Sequence, residues 1–330
     1  MFTLGDEWDG KPLTIDGRRI AILGDPHLGR RFTTGVPLDR LGEREIEIEA
    51  QFLAHVHDVA GVDMHVCLGD LFDRPAVSHH HVRHAALTYL AAAHHNPKVT
   101  FVILAGNHDL SRDLEVTTAF EVLRMILSTA PNIRVVSRDA QIIEGMLFVP
   151  WSPTMNARAV VEPAFMVGRV PAAFGHWDVV NPKSPDNLIP PLDTPLVITG
   201  HVHRRRVITH ADQQILVAGS MQPYAHGEDW SGEMYWTGTL EELGELSEAD
   251  RRRRCLRIVL EPGQRMPTGI DARQITVMPG RPDEGLLAEI AGSADALDIP
   301  TIWNEVMAAH SVPDDLVQDL FNRYKEKVNA

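Results

Sequence analysis

One pattern restricts this chain more than any other: a short apolar run that ends in glycine and a metal-ligand side chain, repeated five times. Residues 66–73 read V-C-L-G-D-L-F-D; 19–23 lead into Gly24-Asp25-Pro26-His27; 99–104 lead into Gly106-Asn107-His108-Asp109. Residues 170–174 lead into Gly175-His176, and 196–199 into Gly200-His201-Val202-His203. Unbroken apolar runs of this length are what strands buried on both faces look like, and open α/β sheets bind ligands at the carboxyl ends of their strands. The five runs therefore predict one site built from Asp25, His27, Asp70, Asn107, His176, His201 and His203.

The chain is long enough for a large domain with an appendage: 330 residues, 44% of them hydrophobic. We place the main domain at 1–262 and the appendage at 263–330. No apolar run approaches the roughly 20 residues that span a bilayer, and residues 1–10 are acidic, without a signal-peptide pattern. A cytoplasmic protein with no membrane contact is expected, and Cys67 and Cys255 fit neither a disulfide framework nor a zinc CxxC motif. The net charge of −14 argues against a chain that coats nucleic acid, so any nucleic-acid activity must be focused at a local site.

Between the runs, periodicity predicts helices over 45–59 and 77–93, and a third marked by Val116, Phe120, Leu123 and Leu127. Each helix links two strands, and such crossovers are right-handed. His79, His80, His81 and His84 crowd the start of the second helix and read as surface or a subunit contact, because adjacent residues on a helix diverge in direction. Residues 134–136 and 142–149 read as antiparallel strands of a second half-sheet, 181–195 as a Pro-rich loop, and 214–218, 235–237 and 256–260 as further strands. The run 251–254 reads as a solvated turn. Two apolar stripes close the chain, one through Trp303 and one through Phe321 and Tyr324.

Carboxylate, amide oxygen and imidazole together suit borderline-to-hard divalent ions, and seven candidate ligands are too many for one tetrahedral zinc. Two ions are implied, as in sites that clamp the attacking and leaving oxygens of phosphoryl substrates. Asp25 and Asp70 are the only anionic ligands, which leaves a loaded cluster net positive. His108, beside Asn107 in one loop, is free for acid work near neutral pH.

In this order, D-x-H, G-D-x-x-D, G-N-H-D, G-H and G-H-x-H resemble the calcineurin-like metallophosphoesterases, over residues 20–220. The resemblance implies a four-layer α-β-β-α sandwich of two mixed sheets flanked by helices. It implies that Asp25, His27 and His203 hold one metal and Asn107, His176 and His201 the other, with Asp70 bridging. A metal-bridging hydroxide would be the nucleophile, and His108 the general acid, oriented by Asp73. The ions would be Mn(2+) first, with Fe or Zn as alternatives. His210 and His226 compete with His176, and Asp73 has the alternative of capping its own loop.

Three features resemble the DNA-repair nuclease branch of SbcD type: G-D-L-F-D-R-P at 69–75, the pairs Gly219-Ser220 and Gly227-Glu228, and a carboxyl-terminal appendage. That branch implies DNA as substrate, exo- or endonuclease action in double-strand-break processing or recombination, and an SMC-like (SbcC-type) ATPase partner docked through the final helices. The bland alternatives for those helices are packing on the chain's own core and a homodimer contact. Arg30, Arg31, Arg204, Arg205 and Arg206 are expected to flank the metals where a DNA backbone would lie, with surface charge as the alternative. The competing function is a small-molecule phosphodiesterase or phosphatase acting on a nucleotide or similar ester.

Overall fold

The computed structural model describes residues 8–113, 115–152, 170–181, 194–210, 213–229 and 231–279. It divides into two units, Met1–Ile258 with Pro267–Val277, and Val259–Met266 with Met278–Ala330. The final stripes, and most of the expected 181–195 loop, lie outside the described residues.

Within the first unit the chain starts with β1 (Leu13–Ile15) and β2 (Arg18–Leu23), then alternates helices and strands. These are α1 (Glu43–His57), β3 (Met64–Cys67), α2 (His79–His95), β4 (Thr100–Leu104), α3 (Ala119–Leu127) and β5 (Ile133–Val136). The five strands form one sheet in sequence order, antiparallel only between β1 and β2. A second sheet contains β6 (Gln141–Ile143), β7 (Met146–Val149), β8 (Ala173–His176), β9 (Leu196–Gly200), β10 (Arg206–His210) and β11 (Gln213–Val217), in the order β10-β11-β9-β8-β7-β6. Its inner pairs are parallel and both edge pairs antiparallel, so both sheets are mixed.

Alternation along each strand decides which core a side chain enters. Ile20, Ile22, Val66, Val102 and Leu104 of the first sheet meet Phe148, Phe174, Ile198 and Leu216 of the second, with Phe148 and Phe174 stacked at 4.7 Å between ring centres. The intervening residues Ala21, Leu23, Phe101 and Ile103 face Phe52, Tyr89 and Phe120 of the three helices. On the second sheet, Leu147, Val149, Val197, Ile215 and Val217 form a third core with Trp177. Burial on both faces explains the unbroken apolar runs. A capping box of Thr118 and Glu121 starts α3 after the expected marker Val116, which is left exposed.

Two expectations change. Residues 133–136 are not part of the second half-sheet: β5 pairs parallel with β4, because α3 is a full crossover. Only 141–149 is antiparallel, as a hairpin turning at Glu144-Gly145, both at positive φ. The run 251–254 ends a helix, Glu248–Arg253, capped by Ser247. β12 (Tyr235–Thr239) and β13 (Cys255–Leu260) are joined in a three-stranded sheet by β14 (Gln274–Pro279), a strand that the polar composition of its surroundings concealed. Among the described residues no helix is long and apolar enough to cross a membrane.

Candidate metal centre

Three strand ends of the first sheet and two of the second converge on one point. Asp25 and His27 follow β2, Asp70 follows β3, Asn107 follows β4, His176 ends β8, and His201 and His203 follow β9. Asp25, His27, Asp70 and His176 are buried to within 1%.

Local backbone is bent to achieve this. Among the described residues five non-glycine residues have positive φ, and three are His27 (49°), Asp70 (48°) and His201 (76°). Such conformations cost of order 1–3 kcal/mol each and persist where the surroundings over-determine them. Here the surroundings are main-chain bonds, His27 N to Asp70 O at 2.9 Å and Leu28 N to Leu71 O at 2.8 Å. Glycine makes room beside the carboxylates: a Cβ on Gly106 would overlap Asp70 Oδ1, and one on Gly200 would crowd Asp25 Oδ1. We expect Gly106→Ala to lower both melting temperature and metal content, measured by calorimetry and elemental analysis. An unchanged metal content would show that the loop yields instead.

Hydrogen bonds fix which imidazole nitrogens face inward. His176 donates from Nδ1 to the Leu68 carbonyl at 2.9 Å, turning Nε2 toward Asn107 Oδ1 at 2.9 Å and Asp70 Oδ2 at 3.4 Å. His203 Nδ1 is 3.0 Å from Glu228 Oε1, which turns its Nε2 toward His27 Nε2 at 3.0 Å and Asp25 Oδ2 at 3.8 Å. Outer partners of this kind orient metal-ligating histidines. His201 Nδ1 lies 2.9 Å from the same Asn107 oxygen. Asp70 Oδ2 also lies 3.7 Å from His27 Nε2, so one carboxylate oxygen stands between the two groups of imidazoles.

The electrostatics call for cations. Burial pushes Asp25 up to about 6, with Asp70's charge adding to it and His176 opposing. Burial also opposes ionisation of Asp70, yet His176, His27 and His108 outweigh it and hold that carboxyl below its usual range. Burial keeps His27 neutral, while Asp70 and Asp25 overcome burial at His176 and raise it to about 9. Among the described residues, Asp25 Oδ1 and His27 Nδ1 are buried without a hydrogen-bond partner. Orphaned polar atoms, two carboxylates and inward-facing imidazoles fit a pair of divalent ions.

A family model described as calcineurin-like phosphoesterase matches residues 18–205. This chain belongs to that family. The match spans β2 to the segment after His203, and so contains every candidate ligand. Membership implies metal-dependent phosphoester hydrolysis, and the family binds pairs of divalent ions. Among solved structures, phosphopantetheinyl hydrolase (PptH) from Mycobacterium tuberculosis is similar at 12% identity and a TM-score of 0.36, over 62% of this chain and 93% of that one. No curated protein matches the chain.

Around the phosphoesterase centre, His108 donates from Nδ1 to the Asp73 carbonyl at 2.7 Å, and its main-chain N–H donates to Asp70 Oδ1 at 2.8 Å. Asp73 thus contacts His108 through its main chain; its carboxylate faces Arg30 at 3.5 Å and His27 Nδ1 at 3.7 Å. Of the five arginines, Arg30 borders the centre, stacked 4.9 Å over Tyr224, and Arg31 and Arg204 are exposed. Arg205 packs 4.7 Å over Trp8 and donates to the Ala218 carbonyl, while Arg206 opens β10. His226 lies 3.0 Å from Thr237 Oγ1.

Sequence reasoning gave no role to Asp109. It is fully buried and accepts from Gly106 N, Phe72 N and Leu71 N at 2.9, 2.9 and 3.2 Å, tying the Asp70 loop to the Asn107 loop. Burial, aided by Asp70, pushes its carboxyl up to about 8 against those donors. An acid directly after G-N-H was the available signal. Tyr224 was also missed; its hydroxyl donates to the carbonyls of Asp25 and Pro26.

Proposed function

We propose that this phosphoesterase is a nuclease of SbcD type that hydrolyses DNA phosphodiesters. The observation that carries the proposal is the Glu228–His203 contact at 3.0 Å, because it gives the nuclease-like Gly227-Glu228 pair a task at the centre itself. Two bound ions, held by Asp25, His27 and His203 on one side and Asn107, His176 and His201 on the other with Asp70 between, would supply Lewis acidity toward water and the phosphoester. His108, its Nδ1–H committed to the Asp73 carbonyl, would as the imidazolium carry a second proton on Nε2 and deliver that proton to the leaving oxygen. Arg30 would hold a phosphate oxygen at the rim, its charge kept forward by Asp73 and the face of Tyr224. The proposed SMC-like partner would dock through the apolar stripes that the sequence places around Trp303 and around Phe321 and Tyr324.

The net charge of −14 favours the second reading, a small-molecule phosphodiesterase. Manganese-dependent digestion of linear duplex, single-stranded DNA and bis-p-nitrophenyl phosphate, side by side, separates the two. We expect all three to be cleaved. In the double variant Arg31→Ala, Arg204→Ala we expect DNA cleavage to weaken and its log–log salt slope to fall by roughly one for each phosphate no longer neutralised, with the small diester little affected. Cleavage of the small diester alone would defeat the nuclease reading.

A further inference from the structure

The histidines at the start of α2 look in the sequence like plain surface, since His80 and His81 should point different ways. The folded chain brings them together on a third residue. Glu49 of α1 sits in the notch between α1 and α2, and the two imidazoles approach it with different nitrogens. His80 Nε2 is 3.1 Å from Oε1 and 3.2 Å from Oε2, and His81 Nδ1 is 3.0 Å from Oε1. The longer reach of Nε2 on one ring and the shorter reach of Nδ1 on the other cancel their divergence. The three ligand atoms lie within 4.8 Å of one another. We propose that Glu49, His80 and His81 bind one divalent cation of the zinc class, at a site separate from the phosphoesterase centre.

Two imidazoles and one carboxylate are a donor set that zinc accepts with its fourth position left to water. The notch is open on the side of His80, whose side chain is 55% exposed against 11% for His81 and 21% for Glu49. Magnesium and calcium want an oxygen-rich shell, so this set selects against them. His84, one turn beyond His80, lies 3.2 Å from the Glu49 carbonyl oxygen and stacks its ring on His80 at 6.3 Å, bracing the pair. To take a cation, each imidazole moves its N–H to its other ring nitrogen and turns a lone pair inward.

The position of this site gives it a consequence. Gly29 packs so closely on α2 that a Cβ there would come within 3.1 Å of His81 Cδ2 and 3.0 Å of Val77 Cγ1. Gly29 is two residues past His27, so a cation on His81 would staple α1 to α2 beneath the loop that carries Asp25 and His27. Like any ligand of the native state alone, it would raise stability by mass action.

The test uses the full chain titrated with Zn2+, bound zinc being measured by elemental analysis after gel filtration, beside Glu49→Gln and His80→Ala. His80 is exposed enough that its removal should leave the fold intact. We expect wild type to bind one zinc more than either variant and to gain a zinc-dependent rise in melting temperature that both variants lose. Both variants should keep the manganese-dependent hydrolysis of the chromogenic diester, and His57→Ala, a nearby histidine outside the set, should bind zinc like wild type. Equal zinc content in wild type and both variants would overturn the proposal and leave the cluster as a hydrogen-bonded helix contact.

Discussion

Asp70→Asn will lose measurable phosphoesterase activity and will retain neither metal ion tightly. Asp70 Oδ2 lies 3.4 Å from His176 Nε2 and 3.7 Å from His27 Nε2, so its charge is shared between the two halves of the centre. Its other oxygen accepts from His108 N, and an amide could set an N–H against that donor. Asparagine tolerates the left-handed backbone that Asp70 adopts at φ 48°, so the fold should survive and the loss should be one of charge. Elemental analysis and circular dichroism on the same sample decide this. Two retained ions in the variant would refute the bridging role, and an unfolded variant would show that the carboxylate is needed for the loop.

His108→Ser should behave differently, because it removes an acid and keeps the main-chain N–H to Asp70. Loss of a general acid typically costs about 10² to 10⁴ in rate. We expect that loss on esters with poor leaving groups and a much smaller one on p-nitrophenyl esters, whose leaving group needs little protonation. Metal content should be unchanged. A variant that loses metal would make His108 a ligand, in line with its place beside His27 and Asp70.

Much of this was legible in the sequence because burial on both faces leaves a strand apolar throughout, and the first polar residue afterwards is then the one that emerges at the site. Asp25, Asp70, Asn107 and His201 were all singled out in that way, and the fold brings them to one point. Other features depended on long-range packing. Whether β5 joins the first sheet or the second is decided by how α3 lies, which residues 133–136 do not encode. The hydrogen bond from His108 to a carbonyl of Asp73 leaves no trace in side-chain identity, and the alignment of Glu49 with His80 and His81 arises only when α1 packs on α2.

The division of the centre between two sheets bears on when this protein can act. Asp25, His27, Asp70 and Asn107 are synthesised first, with the strands of the first sheet, and are useless without His176, His201 and His203 on β8 and β9. The strand β9 in turn lies between β8 and β11, so its place is complete only when residue 217 has been made. A chain still on the ribosome, or one whose second sheet has opened, holds only part of the candidate ligand set. Assembly of the centre is thereby tied to folding itself: the candidate ligands come together only when both sheets have closed.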